Sequence, residues 1–216
     1  MVATRTINQL VKVPIDAAHL LGNLVIPSPA KALIIFAHGS GSSRLSPRNK
    51  FVAKVLQQAN LATLLTDLLT ETEDQDYQQR FDIELLTKRL VAVTNWVDQD
   101  PTAKDLELGY FGASTGAAAA LKAAAQLRHI IKAVVSRGGR PDLAVDVLAK
   151  LEVPTLLIVG GNDHGVIELN QTALKQLAGP KRLSIVPGAT HLFEEPGTLE
   201  QVAELAATWF RKHLKT

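Results

Sequence analysis

The residues best suited to chemistry are a serine and the small residues on either side of it. Residues 112–116 read Gly-Ala-Ser-Thr-Gly, follow the apolar run 106–111 and lead into an alanine-rich, helix-like stretch. Small residues two positions before and after Ser114 allow a sharp strand-to-helix turn that holds the serine side chain above the end of a sheet. The motif therefore predicts that Ser114 is a nucleophile, provided that a base and an acid follow it.

A serine hydroxyl needs a base to take its proton, and histidine is the usual choice. Three histidines follow Ser114: His164, His191 and His213. His213 ends a basic helical segment, where a solvated side chain is expected, and His164 directly follows an aspartate and cannot easily turn back to it. His191 lies in a loop after the last predicted strand, at the same sheet edge as Ser114. We predict His191 as the base, with a loop histidine bonded to the backbone as the alternative.

The base in turn needs an acid that fixes its tautomer and stabilises its protonated form. Asp163 follows the apolar segment 155–159 and the pair Gly160-Gly161, which permits a turn that points the carboxylate inward. We predict Asp163 as this acid, and its alternative role is to cap the turn that follows. Three other carboxylates are less well placed, on a helix or beside the base: Glu168, Glu194 and Glu195.

Attack on a carbonyl creates an oxyanion, and backbone N–H groups must stabilise it, at about 3 to 4 kcal/mol per donor. One donor should be the N–H of Thr115, the residue after the nucleophile. The other should come from the loop after the strand 33–37, where Ser40 is our choice and Gly41 its rival. His38 precedes Ser114, so we expect it to form a structural hydrogen bond that supports this loop rather than to act in catalysis.

Four arginines follow predicted strands and should lie at the carboxyl edge of the sheet, where ligands of open α/β sheets bind: Arg44, Arg48, Arg137 and Arg140. One or two of them are candidates to hold a carboxylate or phosphate of a substrate. The alternative is that they pair with Asp67, Asp142 or nearby carbonyls, and the sequence does not decide between the two.

The rest of the chain alternates strand-like and helix-like segments, which predicts a parallel sheet with helices on both faces, a three-layer α/β/α sandwich. An antiparallel pair at 7–15 and 20–27 should begin the sheet. The acidic loop 67–76 is predicted to be a solvated connection, with a mobile rim as the alternative. The predicted strands are 31–37, 61–66, 106–111, 130–136, 155–159 and 182–186, and the predicted helices are 47–60, 80–97, 114–127, 141–150, 168–177 and 198–214.

Length and composition favour one globular domain, residues 1–216, with a hydrophobic fraction of 46% that supplies an ample core. The absence of cysteine excludes disulfides, thiolate zinc sites and a thiol nucleophile. A net charge of +2 and 5% aromatic residues argue against a nucleic-acid partner. The segment 1–19 lacks the apolar core of a secretory signal, and no stretch reaches the roughly 20 apolar residues of a membrane helix. We expect a cytoplasmic enzyme without metal or cofactor, as a monomer or homodimer.

The loop 38–43 could in outline be a phosphate cradle, since it is rich in glycine and serine after a strand. It lacks the lysine and the G-x-x-x-x-G-K-[ST] spacing, and it lacks G-x-G-x-x-G. Nucleotide binding is therefore not expected.

Four segments together resemble an α/β-hydrolase of the dienelactone hydrolase family: the His38-Gly39 loop, the elbow 112–116, the Gly161-Asn162-Asp163 turn and Ala189-Thr190-His191. The resemblance spans most of the chain. It implies an eight-stranded, mostly parallel sheet and hydrolysis through an acyl-enzyme on Ser114. Dienelactone hydrolases proper use a cysteine nucleophile, and here a serine stands in its place.

The resemblance also bears on substrates and on neighbouring domains. Members known for dienelactone hydrolysis hold a substrate carboxylate with arginine, and some similar domains are joined to phosphoribosyltransferase domains, which the sequence does not predict here. The short interval 136–155 predicts no cap domain, so the site should be open to small or exposed esters.

The sequence thus predicts a serine hydrolase of a small ester or lactone, with an anionic group on the substrate as one option. Two alternatives stay open. One is a non-catalytic scaffold that binds a small acidic ligand or a partner, and the other is acyl transfer or perhydrolysis by the same triad.

Overall fold

Strands that are buried on both faces form the centre of the protein. The computed structural model describes residues 6–16 and 18–215. Its strands are β1 (Ile7–Ile15), β2 (Ala18–Ile26), β3 (Ala32–Ala37), β4 (Ala62–Thr66), β5 (Glu107–Ala113), β6 (Ile131–Arg137), β7 (Thr155–Gly160) and β8 (Lys181–Val186). They form one eight-stranded sheet in the order β1-β2-β4-β3-β5-β6-β7-β8. Strands β3 to β8 pair in parallel, while β1 pairs antiparallel with β2 and β2 with β4. The predicted eight-stranded, mostly parallel sheet is confirmed.

Helices cover both faces of this sheet. They are α1 (Pro47–Gln58), α2 (Ile83–Gln99), α3 (Thr115–Gln126), α4 (Val145–Leu148), α5 (His164–Gln176) and α6 (Thr198–His213). Apolar side chains of α1 and α6 pack on one face, and those of α2, α3 and α5 pack on the other. This is the predicted α/β/α sandwich, and the chain has an α/β-hydrolase fold.

The strand segments form because their apolar runs can be buried completely. All six residues of β3 are buried, and successive side chains enter opposite cores: Leu33 faces the α2–α3 side and Ile34 the α1–α6 side. Burial of each such side chain contributes about 1.5 to 3 kcal/mol. The alanines of α3 let that helix lie close to the sheet, where a Cβ added at Gly112 would meet Ala117 Cα at 2.5 Å. Helix α3 therefore begins directly behind the strand end that carries Ser114.

Three predicted helices differ from the structure by three or more residues at one end. Helix α2 begins at Ile83 rather than at 80, because the Asp82 side chain accepts a hydrogen bond from the Leu85 N–H at 3.0 Å and caps it there. Helix α5 begins at His164 rather than at 168. The predicted helix 141–150 was wrong in form, since Pro141–Ala144 is a 3₁₀ turn and α4 is a single turn.

Two loops bear on access to the site. Between β6 and β7, residues 138–154 contain only the 3₁₀ turn and α4, so no cap domain is inserted there. The acidic loop 67–76, predicted as a solvated connection, is tied to α2, because Glu73 pairs with the buried side chain of Arg89. Within residues 6–16 and 18–215, no helix is both long and apolar enough to cross a bilayer.

Candidate active site

Ser114 occupies a single strained position between strand and helix. Strand β5 ends at Ala113 and α3 begins at Thr115, while Ser114 between them has φ 51° and ψ −122°. Such a backbone conformation costs about 1 to 3 kcal/mol in a residue other than glycine. It persists because the surrounding chain holds it: the Ser114 N–H donates to Arg137 O at 3.1 Å, and Ser114 O accepts from the Arg140 N–H at 3.2 Å.

Glycine at position 116 is required by this arrangement. A Cβ there would collide with the carbonyl oxygens of Ala37 and His38 at the end of β3. The missing side chain lets the first turn of α3 lie against the loop that begins at His38. The nucleophile motif and the predicted oxyanion loop are therefore in direct contact.

His191 and Asp163 form the central hydrogen bond of the site. Nδ1 of His191 lies 2.7 Å from Oδ2 of Asp163. Because a carboxylate only accepts, Nδ1 carries the proton, and the neutral ring is left with a lone pair on Nε2, the form that a general base needs. The Asp163 side chain is 16% exposed and that of His191 is 37% exposed, so the pair lies at an accessible rim.

The turn after β7 directs Asp163 toward this histidine. Gly160 has no room for a side chain, because the carbonyls of Ala189 and Thr190 lie against it. The Asn162 N–H donates to Ala189 O at 2.9 Å, and its side-chain amide donates to Gly188 O at 3.0 Å. Asp163 is the N-cap residue that precedes α5, but its side chain makes no capping hydrogen bond, so the capping alternative is not what the structure shows.

The histidine loop is fixed on its other side by Glu195. This carboxylate accepts from the Thr190 N–H at 3.1 Å and from the Thr190 hydroxyl at 2.6 Å, and these bonds lower the pKa of Glu195. The His191 ring also packs against Gly138, where an added Cβ would lie 3.4 Å from Nδ1. Gly138 follows Arg137, whose carbonyl holds Ser114. The three predicted residues therefore lie at one sheet edge, although the Ser114 hydroxyl makes no hydrogen bond to any described residue.

The predicted oxyanion donors are adjacent, and one of them is engaged. Thr115 is the first residue of α3, and its N–H has no acceptor among the described residues, as expected at a helix start. The Ser40 N–H donates to the Thr115 hydroxyl at 2.9 Å. Sequence reasoning missed this bond, and the rival donor Gly41 lies beside it with φ 67°. The oxyanion roles of Thr115 and Ser40 stay predictions.

His38 supports the same loop, as predicted. Its Nε2 accepts the Leu68 N–H at 3.1 Å, which leaves Nδ1 as a donor to Gly39 O at 3.0 Å. Burial lowers the pKa of His38, so the neutral ring is the stable form. The structural hydrogen bond expected of this residue is confirmed.

The four candidate arginines separate into two kinds. Pairing with aspartate is confirmed for two of them: Arg44 lies 3.4 Å from Asp67, and Arg140 binds Asp142 through two hydrogen bonds of 2.9 and 2.7 Å.

The other two arginines differ. Arg48 donates to Glu194 at 2.8 Å, a pairing that the sequence did not indicate, and the buried guanidinium of Arg137 has no hydrogen-bonding or ionic partner among the described residues. Its recorded contact is the ring of Phe193, 5.7 Å from Arg137 Cζ to the ring centroid.

Two further features were not predicted. The buried amide of Asn170, in the middle of α5, donates to Gly139 O at 3.0 Å and so holds the turn against which His191 packs. An asparagine within a helical pattern gives no signal of this role.

The second unpredicted feature is a cavity of about 740 Å³ beside the loop 38–43, the predicted oxyanion loop. It is lined by residues that include Ser42, Ser43 and Leu69. In residues 6–16 and 18–215 there is no cluster of three or more histidine, aspartate or glutamate side chains suited to a metal ion.

Comparison with known proteins gives consistent results. Residues 22–215 match the model of the dienelactone hydrolase family. A curated Mycobacterium tuberculosis protein named "Putative phosphoribosyl transferase" is 57% identical over 206 residues, which are 95% of this chain and 46% of that protein. The crystal structure of dienelactone hydrolase from Anabaena variabilis is 55% identical, with a TM-score of 0.94 over 97% of this chain and 99% of that one. Est1E from Butyrivibrio proteoclasticus shares the fold at 19% identity, with a TM-score of 0.81 over 94% and 98% of the two chains.

Proposed function

The chain belongs to the dienelactone hydrolase family and is a hydrolase, and we propose that it cleaves a small carboxylic ester or lactone through an acyl-enzyme on Ser114. The observation that carries the proposal is the 2.7 Å bond between His191 and Asp163 at the sheet edge where Ser114 lies half-buried on a strained turn. The proposal assigns this chemistry to one α/β-hydrolase domain, residues 1–216, acting without a metal or organic cofactor.

In the proposed mechanism, His191 Nε2 takes the proton of the Ser114 hydroxyl as Oγ attacks the ester carbonyl. Asp163 stabilises the imidazolium through Nδ1–H. The proton then passes to the leaving alkoxide, and a water activated by His191 hydrolyses the acyl-enzyme. The Ser114 hydroxyl needs only to reach Nε2 when substrate is bound, because such bonds are often long in the free enzyme and shorten in the complex.

The oxyanion would be held by the backbone N–H groups of Thr115 and Ser40. The Thr115 N–H is free for this role, whereas the Ser40 N–H must exchange its bond with the Thr115 hydroxyl for one with the oxyanion. The exchange is favourable because a hydrogen bond to a charged acceptor is roughly twice as strong as one to a neutral hydroxyl. The Thr115 hydroxyl thus accepts a hydrogen bond from the Ser40 N–H until negative charge develops on the carbonyl oxygen of the substrate.

The substrate class follows from the site's shape and from one departure from the family. No cap covers the rim, which suits small or exposed esters. Dienelactone hydrolases proper use cysteine where this chain has Ser114, so we propose an ester or lactone without assigning the dienelactone itself.

The name of the Mycobacterium tuberculosis relative is no evidence against hydrolysis by this chain. The chain spans about half the length of that protein, 46%, and the name refers to the whole. Residues 22–215 of this chain match a hydrolase family model. Any transferase activity of the longer protein is a separate question.

An active-site probe tests the proposal directly. A fluorophosphonate should label the folded protein once, at Ser114, and Ser114→Ala should abolish both the label and the hydrolysis of nitrophenyl esters and lactones, with kcat reduced about 10⁴-fold or more. His191→Ala should also prevent labelling. Two matched controls should leave both readouts intact: Ser184→Ala, which removes a buried hydroxyl of β8, and His129→Ala, which removes an exposed imidazole.

The outcomes separate the proposal from its alternatives. Folded protein that takes no label favours a non-catalytic scaffold and contradicts the enzyme. Labelling at Ser114 with ester turnover that rises on addition of an alcohol or peroxide favours acyl transfer or perhydrolysis. Turnover that does not respond to these acceptors supports hydrolysis.

A further inference from the structure

The last strand of the sheet leaves one of its edges without a partner. Strand β8 ends the strand order and, in residues 6–16 and 18–215, pairs with β7 alone. The carbonyls of Pro180 and Val186 face β7, where each accepts a backbone N–H, so every second residue along β8 directs its backbone toward β7. The backbone N–H and C=O groups of the alternate residues, Leu183 and Ile185, therefore point outward, where a further strand can bind them.

A groove of about 630 Å³ lies between this edge and helix α6. The strand contributes residues 182–186 to the lining, and among them the apolar side chain of Ile185 is 41% exposed. The helix contributes residues at three- and four-residue spacing, which lie on one face of it. They are Gln201, Glu204, Leu205, Thr208, Trp209 and Lys212.

Two polar groups that line the groove have no hydrogen-bond partner among the described residues. They are the hydroxyl of Ser184 on β8 and the indole N–H of Trp209 on α6, and the two residues are only 8% and 7% exposed. Buried polar groups nearly always have a partner in a complete structure. Together with the open strand edge, these groups indicate that a further chain covers the groove.

The charges in the groove are separated along its length. Helix α6 runs toward the amino edge of the sheet, because the Lys215 N–H just after it donates to Glu107, the first residue of β5, at 2.7 Å. The helix is therefore antiparallel to β8. Glu204 lies toward the carboxyl edge, whereas Lys212 and Arg182 lie toward the amino edge. None of these three residues forms an ion pair within the described part of the chain. One end of the groove is thus acidic and the other basic.

We propose that a second copy of this chain occupies the groove, with the two β8 edges paired antiparallel across a two-fold axis. The rotation reverses the direction of the partner's groove, so the acidic end of each copy meets the basic end of the other. Glu204 then lies opposite Lys212 of the partner subunit, and the symmetry forms this contact twice. None of the three candidate triad residues lines the groove, so both sites stay open in the dimer.

The mass of the full chain in solution tests this interface. Sedimentation velocity from about 1 to 100 µM should show a wild-type dimer, since this range resolves a Kd in the micromolar region. Glu204→Lys should raise the Kd about tenfold or more, because it places like charges opposite each other at two positions. Ile185→Lys should do the same, because an outward lysine opposes pairing at a strand edge. Arg211→Glu should leave the Kd unchanged, since Arg211 is exposed in the last turn of α6 but does not line the groove.

Mixing two charge variants gives the sharpest test. Glu204→Lys faces Lys212 of the partner subunit, and Lys212→Glu faces Glu204 of the partner subunit, so each variant alone should be mainly monomeric. In an equimolar mixture, both contacts again join a lysine to a glutamate. Dimers that contain one copy of each variant should therefore form on mixing.

Each result supports or overturns the proposal. A wild type that stays monomeric at about 100 µM would overturn it. A dimer that none of the variants weakens would also overturn it, since the dimer would then use another surface. Equal weakening by Arg211→Glu, or no dimer in the mixture of the two charge variants, would contradict the Glu204–Lys212 contact. Circular dichroism of each variant shows that it is folded, and none of these measurements depends on ester hydrolysis.

Discussion

Replacing Arg137 by methionine should make the protein more stable in a chloride buffer. Such a buffer contains no phosphate or carboxylate that could pair with the guanidinium. The wild-type side chain places a positive charge at a buried position with no carboxylate partner among the described residues. Methionine is flexible and of similar length, so it can fill the space and keep a contact with the Phe193 ring. Most substitutions of buried residues destabilise, and the opposite sign is expected here because a charge is removed with no partner left behind.

The magnitude follows from how far burial disfavours the charged form. Burial, assisted by Arg48, lowers the pKa of Arg137 from its ordinary value to about 10. Because one tenfold step in proton affinity is worth about 1.4 kcal/mol, keeping the group charged in the folded state costs about 3 kcal/mol. This cost is fully present at pH 7, since the folded and unfolded states bind different numbers of protons only above about pH 10. Loss of the cation–π interaction with Phe193 offsets about 1 kcal/mol of this gain. The net gain is about 2 kcal/mol, or about 4 to 8 °C in Tm for this chain length.

Urea unfolding followed by circular dichroism measures this change. The comparison should be made in Tris chloride, free of phosphate and carboxylates, with Arg140→Met as a control that removes a paired guanidinium and should change stability by no more than about 1 kcal/mol. A loss of 1 kcal/mol or more in Arg137→Met, under these conditions, would refute the reasoning. It would mean that the guanidinium already has stabilising partners in the folded protein.

Three further predictions concern the neighbouring residues. Asp163→Asn should lower kcat for a nitrophenyl ester about 10³- to 10⁴-fold, since His191 would lose its favoured tautomer, and a loss below tenfold would contradict this. Gly116→Ala should destabilise by about 1 to 3 kcal/mol in urea unfolding, because its Cβ meets the His38 carbonyl, whereas Gly165→Ala, with open space around it, should stabilise by up to about 1 kcal/mol. Burial lowers the pKa of His38, so the unfolded state binds more protons below about pH 6.5, and stability should fall there by up to about 1 kcal/mol at pH 5.5. His38→Gln should reduce that fall and leave the part that comes from His213, whose pKa burial also lowers, and an unchanged pH profile would count against the prediction.

The sequence predicted the central strands well, for a physical reason. A segment such as 32–37, which is apolar at every position, is stable as a strand only where both faces of the sheet are covered. Its strand conformation and its place inside the sheet can therefore both be predicted. The ends of helices, where the apolar pattern is weak, were harder to predict. Helix α5 begins at His164, where Gly165 in the first turn opposes helix formation and hides the true start.

The prediction of a helix over residues 141–150 failed for another reason. It has enough apolar residues for a helix, but Pro141 starts a 3₁₀ turn and only Val145–Leu148 continues as a single α-helical turn. Local spacing alone could not distinguish a single-turn helix from a longer one.

At the candidate site, chain order and loop position were enough to select His191 and Asp163, whose bond the structure contains. Ion pairs and hydrogen bonds between residues far apart in the sequence could not be predicted from it. Arg48 and Glu194 are 146 positions apart. That Arg137 is buried without a carboxylate partner among the described residues follows only from how the end of β6 packs in the fold, against Phe193 in the loop after β8.

The backbone of Ser114 has a consequence for protein engineering. Glycine adopts positive φ readily, so Ser114→Gly would relieve the tension in this turn. A variant library screened only for heat tolerance would then enrich this substitution and yield well-folded proteins without the proposed nucleophile. Screening first for reaction with a serine-directed probe would remove those variants before the heating step.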